Sequence, residues 1–115
     1  MERKKLGNEA EELARRKLIS QNYQIIERNF TCKIGEIDII AKDGDTIVFV
    51  EVRSRKNCNY GSPQETVNLK KQRKLRNLAQ YYLKINNLMD ADCRFDVVAI
   101  VVEPQLNIEI IRDAF

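Results

Sequence analysis

Three acidic residues stand within two short segments that otherwise consist of Ile, Val and other strand-forming residues: Glu36, Asp38 and Glu51. Burying a carboxylate in such an apolar sheet is costly unless a partner compensates for its charge. Carboxylate and carbonyl oxygens are the ligands that Mg²⁺, Mn²⁺ and Ca²⁺ prefer. The chain has no histidine, which excludes His-ligated zinc and the Ser-His-Asp and Cys-His nucleophile systems. These acids therefore indicate a divalent ion held by carboxylates.

The acids lie in a predicted β-hairpin that spans residues 35–56. Asp43-Gly44 is a strong signal for a two-residue turn, and this turn places Asp38 opposite Phe49. Asp38 and Glu51 then become diagonal neighbours on one face, with backbones about 7–8 Å apart, so both can reach one metal ion. The opposite face is almost wholly apolar, which is typical of strands in the middle of a sheet covered on both sides.

Two amphipathic helices, at residues 5–21 and 69–86, are predicted to flank this hairpin. Glu9 falls on the border of the first helix's apolar face, from which an acid can reach the edge of the sheet. Lys71 lies on the inward stripe of the second helix, where it either snorkels to solvent or points at the acids. Arg53 shares the predicted hairpin face with Glu51.

The remaining segments complete an α/β sandwich. Further strands are predicted at residues 23–29, 94–102 and 108–111, a loop at 31–33, and a capping box at 62–65 with a helix restart at Asn68. The resulting element order, α-β-β-β-α-β-β, predicts one domain over residues 1–115 with a mixed central sheet flanked by helices.

Composition narrows the class of protein. With 115 residues, 43% hydrophobic and 32% charged, the chain fits one globular domain. It has no apolar run long enough to span a membrane and no secretory signal, and its three cysteines form no CxxC pair. We therefore expect a cytoplasmic protein with reduced thiols and no membrane partner.

Basic residues are clustered although the net charge is only +3. The clusters suit a polyanion-binding face, or they are simply solvated helix faces. Beside a metal ion that polarises a phosphoryl oxygen, basic side chains would hold a phosphate backbone. The whole set is typical of a phosphodiester hydrolase.

The sequence resembles the YraN-type family of uncharacterised bacterial proteins. The resemblance rests on residues 35–41 (Gly-Glu-Ile-Asp-Ile-Ile-Ala) and 48–55 (Val-Phe-Val-Glu-Val-Arg-Ser-Arg). Shorter matches extend it over nearly the whole chain, at residues 7–10, 61–63, 71–75, 94–98 and 113–115. That family is similar to the PD-(D/E)XK nucleases, particularly the Holliday-junction resolvases, which implies a restriction-endonuclease-like fold.

The resemblance implies an endonuclease that cuts DNA, including structured or branched DNA, with Mg²⁺ or Mn²⁺. It implies Glu9 as the acid of the first helix, Asp38 and Glu51 as metal ligands, and a ligating carbonyl from Val52. Arg53 stands where the superfamily has lysine. Lys71 is a candidate to replace that lysine, and the uncharged Gln72 is a weaker candidate. The residues expected to hold nucleic acid are Arg53, Arg55, Lys56, Lys70 and Lys74. Resolvase relatives also imply a homodimer.

Two other functions compete with the nuclease. The chain is a non-catalytic nucleic-acid-binding module if Arg53 cannot perform the lysine's role, because arginine keeps its proton. It is a structural or partner-binding domain if the acids are merely paired with Arg53, Arg55 and Lys71. Buried ion pairs contribute little net stability, which disfavours this last interpretation.

Overall fold

The computed structural model describes residues 2–57 and 67–115 and, for residues 2–7, the backbone. Helix α1 spans Glu2–Ser20 and helix α2 spans Leu69–Ile85. Five strands accompany them: β1 Gln24–Cys32, β2 Gly35–Asp43, β3 Thr46–Arg55, β4 Cys93–Val101 and β5 Asn107–Ile111. The element order agrees with the predicted α-β-β-β-α-β-β. Strand β1 runs through Cys32, so the loop predicted at residues 31–33 is wrong. The capping box predicted at 62–65 lies outside the described residues.

The strands form one mixed sheet in the order β1-β2-β3-β4-β5. Strands β3 and β4 are parallel, and the other neighbouring pairs are antiparallel. A parallel pair requires a crossover connection, and α2 lies within the segment that joins β3 to β4. Because β3 occupies the centre of the sheet, Glu51 pairs with Val97 of β4 on one side and lies one step beyond the last regular pair with β2 on the other.

The helices cover opposite faces of the sheet and thereby make an α/β sandwich, which confirms the predicted fold class. Leu75 and Leu78 of α2 pack with Phe49 on one face. Ala14 and Leu18 of α1 pack with the neighbouring Val50 on the other face. The apolar stripes of both helices are thus buried as their periodicity predicts.

Helix α2 begins where the sequence predicts a restart. The side chain of Asn68 accepts a hydrogen bond of 2.9 Å from the backbone N–H of Lys71, and its own backbone is extended. This is the geometry of an N-cap, which satisfies one of the free N–H groups of the first turn. The cap fixes the first turn of α2, and with it the position of Lys71, over the sheet.

The hairpin register differs by two residues from the predicted one. Asp43 pairs with Thr46 and Ile40 with Phe49, so Gly44 and Asp45, rather than Asp43 and Gly44, form the turn. Gly44 has a φ of 61°, in the left-handed region that glycine adopts without steric cost. Asp38 therefore does not lie opposite Phe49.

Strand β2 also departs from strict alternation near its start. Ile39 packs against the α1 face, as its position predicts, but Ile37 packs with Ile40 on the α2 face. Asp38 stands between Ile37 and Ile39 in the chain. Its side chain faces α1, where it lines a small cavity. The prediction that Asp38 shares a face with Ile40 is therefore wrong.

Candidate metal centre

Asp38 lies at the end of the regular pairing between β2 and β3, one step beyond the pair of Ile39 with Val50. Its Oδ2 accepts a hydrogen bond of 2.8 Å from the backbone N–H of Val52, which orients the carboxylate. Burial, followed by the nearby charge of Glu51, raises the pKa of Asp38 from 3.8 to about 7. Close to neutral pH, this carboxyl group therefore binds a proton unless a cation replaces it.

Glu51 is the next residue of β3 after Val50, and only 7% of it is exposed. Burial also raises its pKa, against the opposing effect of two cations. Lys71 Nζ lies 3.9 Å and Arg53 Nε 3.8 Å from Glu51 Oε1. Both cations approach the same oxygen. The other, Oε2, is buried and has no hydrogen-bond partner among the described residues.

Two further acids surround Asp38. Carboxylate oxygens of Glu11, Glu36 and Asp38 all lie within 4.8 Å of one another. Ligand oxygens about 2.0–2.1 Å from a Mg²⁺ ion lie about 3–4 Å apart, so small side-chain rotations would bring these three acids onto one ion. Glu11 also has a buried oxygen, Oε2, without a hydrogen-bond partner in the described part of the chain.

The charges of this cluster fit a divalent ion. Four carboxylates, those of Glu11, Glu36, Asp38 and Glu51, face the two cations Arg53 and Lys71. When all are ionised, two negative charges remain, and one Mg²⁺ or Mn²⁺ ion neutralises them. All the donors are hard oxygens, which these ions prefer.

The structure brings together most of the predicted site residues but separates Glu9 from them. Glu9 is exposed and lines a different cavity, beside Ser54 and Arg55. Glu11, two residues further along α1, lines the small cavity with Asp38 and Val52 instead. The sequence pattern singled out Glu9 on this helix and not Glu11. The signal for Glu11 is weak, because helical periodicity does not fix how far α1 is rotated over the sheet.

The structure places the remaining predicted residues around the acids. Val52 borders the cavity through which Asp38 is reached, and the predicted ligating role of its carbonyl stays a prediction. Gln72 donates a side-chain hydrogen bond of 3.0 Å to the carbonyl of Val67 and thereby supports the start of α2.

The predicted nucleic-acid-binding residues flank the acidic cluster on two sides. Lys70 and Lys74 are exposed on α2, and Lys74 lies over the start of β2, where a Cβ on Gly35 would be 2.8 Å from Lys74 Cε. Arg55 and Lys56 follow the end of β3 and line the same cavity as Glu9.

A buried polar network at the opposite end of the strands was not predicted. Asp96 of β4 is fully buried and accepts hydrogen bonds from Tyr23 (2.7 Å), Arg94 (3.0 Å) and the backbone N–H of Asp113 (3.0 Å). Arg94 also contacts Asp43 at 2.7 Å. The network ties the start of β1 and the C-terminal residues to β4, which gives it a structural role.

The sequence that builds this fold matches a defined protein family. A model of the uncharacterised protein family UPF0102 matches residues 10–100, a range that contains both helices' buried stripes and all four carboxylates, and the chain is a member of that family. This agrees with the resemblance to YraN-type proteins found in the sequence.

Individual relatives match over nearly the whole chain. A UPF0102 protein of Caldicellulosiruptor saccharolyticus is 42% identical over 118 residues, covering 100% of both chains. One of Geotalea uraniireducens is 49% identical and covers 97% of this chain and 90% of its own. One of Moorella thermoacetica is 44% identical and covers 100% of this chain and 98% of its own.

None of the helices in the described ranges is long and apolar enough to cross a membrane. In the same part of the chain, Cys32 and Cys93 are free thiols, and Cys58 lies outside it.

Proposed function

We propose that this protein is a metal-dependent endonuclease that hydrolyses phosphodiester bonds in DNA, using Mg²⁺ or Mn²⁺. The observation that carries the proposal is the convergence of Glu11, Glu36, Asp38 and Glu51 at one end of the central strands. The pKa of Asp38 is raised, and a buried oxygen of Glu51 has no hydrogen-bond partner within residues 2–57 and 67–115. Both features mark a site whose charges repel each other without a cation. A divalent ion would bind oxygens of several of these carboxylates at once, whereas a proton bridges at most two of them.

In this proposal Asp38 is the central ligand, Glu11 and Glu36 complete the carboxylate set, and Glu51 supports it from the α2 side. The resemblance to PD-(D/E)XK nucleases adds the carbonyl of Val52. When bound, the ion would polarise a phosphoryl oxygen and lower the pKa of a water molecule. The backbone N–H of Val52 keeps Asp38 in the orientation that the ligand set requires.

The two cations beside Glu51 have different chemistry. Lys71 is an ammonium group on a helix and can orient a water molecule or donate a proton to a departing oxygen. Arg53 retains its proton and acts through charge alone, by stabilising the negative charge that develops on the phosphate. We assign the lysine role of the resembling nucleases to Lys71, because its Nζ is as close to Glu51 as the guanidinium of Arg53 is.

Basic residues on both sides of the acids would hold the phosphate backbone. Lys70 and Lys74 lie on the α2 side, and Arg55 and Lys56 lie beyond the end of β3. The resemblance to Holliday-junction resolvases favours structured or branched DNA as the substrate and a homodimer as the active assembly. A protein that cuts the DNA of the cell must reach that DNA, and we therefore propose that the protein is cytoplasmic.

A second candidate is a nucleic-acid-binding module without turnover. The observation that favours it is the position of Arg53, which pairs with Glu51 where the resembling nucleases have lysine. Such a module would keep the metal and the phosphate contacts but would not activate water. The third candidate from the sequence, a structural domain, requires the acids to be satisfied by ion pairs, and the unpartnered oxygens of Glu11 and Glu51 argue against it.

A cleavage assay separates these functions. Single-stranded, duplex and four-way-junction DNA are incubated with the protein and Mg²⁺ or Mn²⁺, and Asp38→Asn and Glu51→Gln are compared with the wild type. The matched controls are Asp45→Asn and Glu109→Gln, which remove exposed carboxylates far from the cluster.

Metal-dependent cutting that is lost in Asp38→Asn and Glu51→Gln but kept in the controls supports the nuclease. Salt-sensitive binding without cutting supports the binding module. A protein that neither binds DNA nor takes up Mn²⁺ would rule out both.

A further inference from the structure

A second cavity, of about 430 Å³, adjoins the acidic cluster. It shares Ala10 and Ser54 with the small cavity that contains Glu11 and Asp38. The two cavities are therefore neighbours along α1 and the end of β3, with Ala10 and Ser54 between them. A ligand in the larger cavity would lie next to a phosphate bound at the acids.

The floor and the rim of this cavity differ in character. Leu13, Ile100 and Val102 supply apolar surface, and Val102 is half exposed at its mouth. Arg55 and Lys56 bring positive charge to the rim. An apolar interior with a few polar groups at its edge is typical of a site for a small, flat or apolar molecule.

The backbone makes one wall of the cavity rigid. The N–H of Val102 donates to the carbonyl of Arg55 at 3.1 Å, and the N–H of Glu103 donates to the carbonyl of Lys56 at 2.7 Å. These bonds extend the pairing of β3 with β4 beyond the regular strands. The cavity is therefore a preformed feature at the C-terminal ends of β3 and β4.

We propose that this cavity receives the base of an unpaired nucleotide next to the phosphate that the acidic cluster cleaves. The inference rests on the proposed function. A duplex is too wide for a cavity of this size, whereas a single nucleoside is small enough to enter it and can pack its base on the apolar lining. Taking a base out of the stack is least costly where the base is already unpaired, so such a pocket selects DNA with unpaired nucleotides.

The charges around the cavity agree with this occupant. Arg55 and Lys56 can contact the phosphates that flank an unpaired base. Carboxylates of Glu9 and Glu103 in the same lining can accept hydrogen bonds from the amino groups of a base. Lys56 and Glu103 lie 4.0 Å apart, so these two groups also pair with each other.

The test measures binding and base environment without cleavage. DNA duplexes carry one unpaired nucleotide, either 2-aminopurine or an abasic analogue at the same position, and a third duplex is fully matched. Binding is measured in Ca²⁺ with Asp38→Asn as a second non-cleaving condition. We expect the 2-aminopurine duplex to bind five- to tenfold more tightly than the abasic one, with a change in 2-aminopurine fluorescence on binding.

Variants at two exposed positions provide the control. Val102→Asp places a charge at the mouth of the cavity, and Leu106→Asp makes the same charge change at a similarly exposed residue outside the cavity lining. We expect Val102→Asp to abolish the ratio between base and abasic affinities and Leu106→Asp to preserve it.

The outcomes distinguish this inference from the function on which it rests. Equal binding of base and abasic duplexes, with unchanged fluorescence, would overturn the base pocket while leaving the nuclease proposal standing. The same ratio in Val102→Asp as in the wild type would overturn it too. Absence of salt-sensitive binding to every duplex would refute the proposed function and the base pocket together.

Discussion

Replacing Asp38 by Asn should stabilise the metal-free protein at high pH. Burial and the neighbouring carboxylates raise the pKa of Asp38 to about 7 in the folded state, against 3.8 for an ordinary aspartate. Between these two values the folded state binds more protons than the unfolded state, so the free energy of unfolding decreases as the pH rises. Asparagine has no charge to lose, and its amide oxygen can keep the hydrogen bond from Val52.

The size of the effect follows from the pKa difference. A shift of roughly 3 pH units corresponds to at most about 4 kcal/mol at a pH above both values. Side-chain relaxation and water entering the small cavity reduce this penalty, so we expect Asp38→Asn to gain about 1–3 kcal/mol at pH 8. At pH 5 the folded wild type already carries the proton, and most of the gain should disappear.

Urea unfolding in EDTA at pH 5 and pH 8 measures this difference directly. Asp45→Asn is the control, because Asp45 is exposed in the hairpin turn and its substitution removes the same charge. Added Mn²⁺ at pH 8 should stabilise the wild type and the control but have little effect on Asp38→Asn. A gain of equal size at both pH values, or a loss of stability at pH 8, would show that the carboxylates do not repel each other as the structure implies.

Three further substitutions test separate parts of the site and the fold. Glu11→Gln should weaken Mn²⁺ binding, measured by calorimetry, by tenfold or more, whereas Glu9→Gln should change it less than twofold; the reverse order would return the helix ligand to Glu9. Lys71→Ala should lower the cleavage rate by about 100-fold because it removes the candidate proton donor, and Lys70→Ala by only a few-fold; equal losses would reject the assignment of Lys71. Tyr23→Phe removes a hydrogen bond to the buried aspartate of β4 and should cost about 1–3 kcal/mol in urea unfolding, and an unchanged midpoint would contradict the structural role of that network.

The hairpin shows how a shifted register can leave most side chains on their predicted faces. The predicted pairing register differs from the observed one by two residues, and side chains on a strand alternate with a period of two. Ile40 and Phe49 therefore remain on one face of the sheet and Ala41 and Val50 on the other, as predicted. In the observed register both acids lie one step beyond the pair of Ile39 with Val50, so Asp38 and Glu51 occupy opposite positions on the two strands instead of the predicted diagonal ones.

The buried network around Asp96 could not be predicted in the same way. Its partners Tyr23 and Arg94 carry no local pattern that distinguishes them from ordinary strand residues, and Tyr23 is 73 positions away in the chain. Such contacts depend on which strands become neighbours and on how the C-terminal residues return to β4. Periodicity identifies faces and elements, but it does not identify partners across a sheet.

The acid on helix α1 shows the opposite case, in which a shift of two residues does change the face on which a side chain lies. Glu9 and Glu11 are two residues apart, which on a strand would leave them on the same face but on a helix separates them by about 200°. A prediction that is correct about the helix and its buried residues can therefore still select an acid that the fold keeps away from Asp38, because the choice depends on the rotation of α1 against β2 and β3. The structure sets that rotation through Ala14 and Leu18, which pack beneath Val50 and direct Glu11 toward Asp38. The packing of two apolar side chains thus determines which carboxylate completes the candidate metal centre, and Glu9 is left to face the neighbouring cavity.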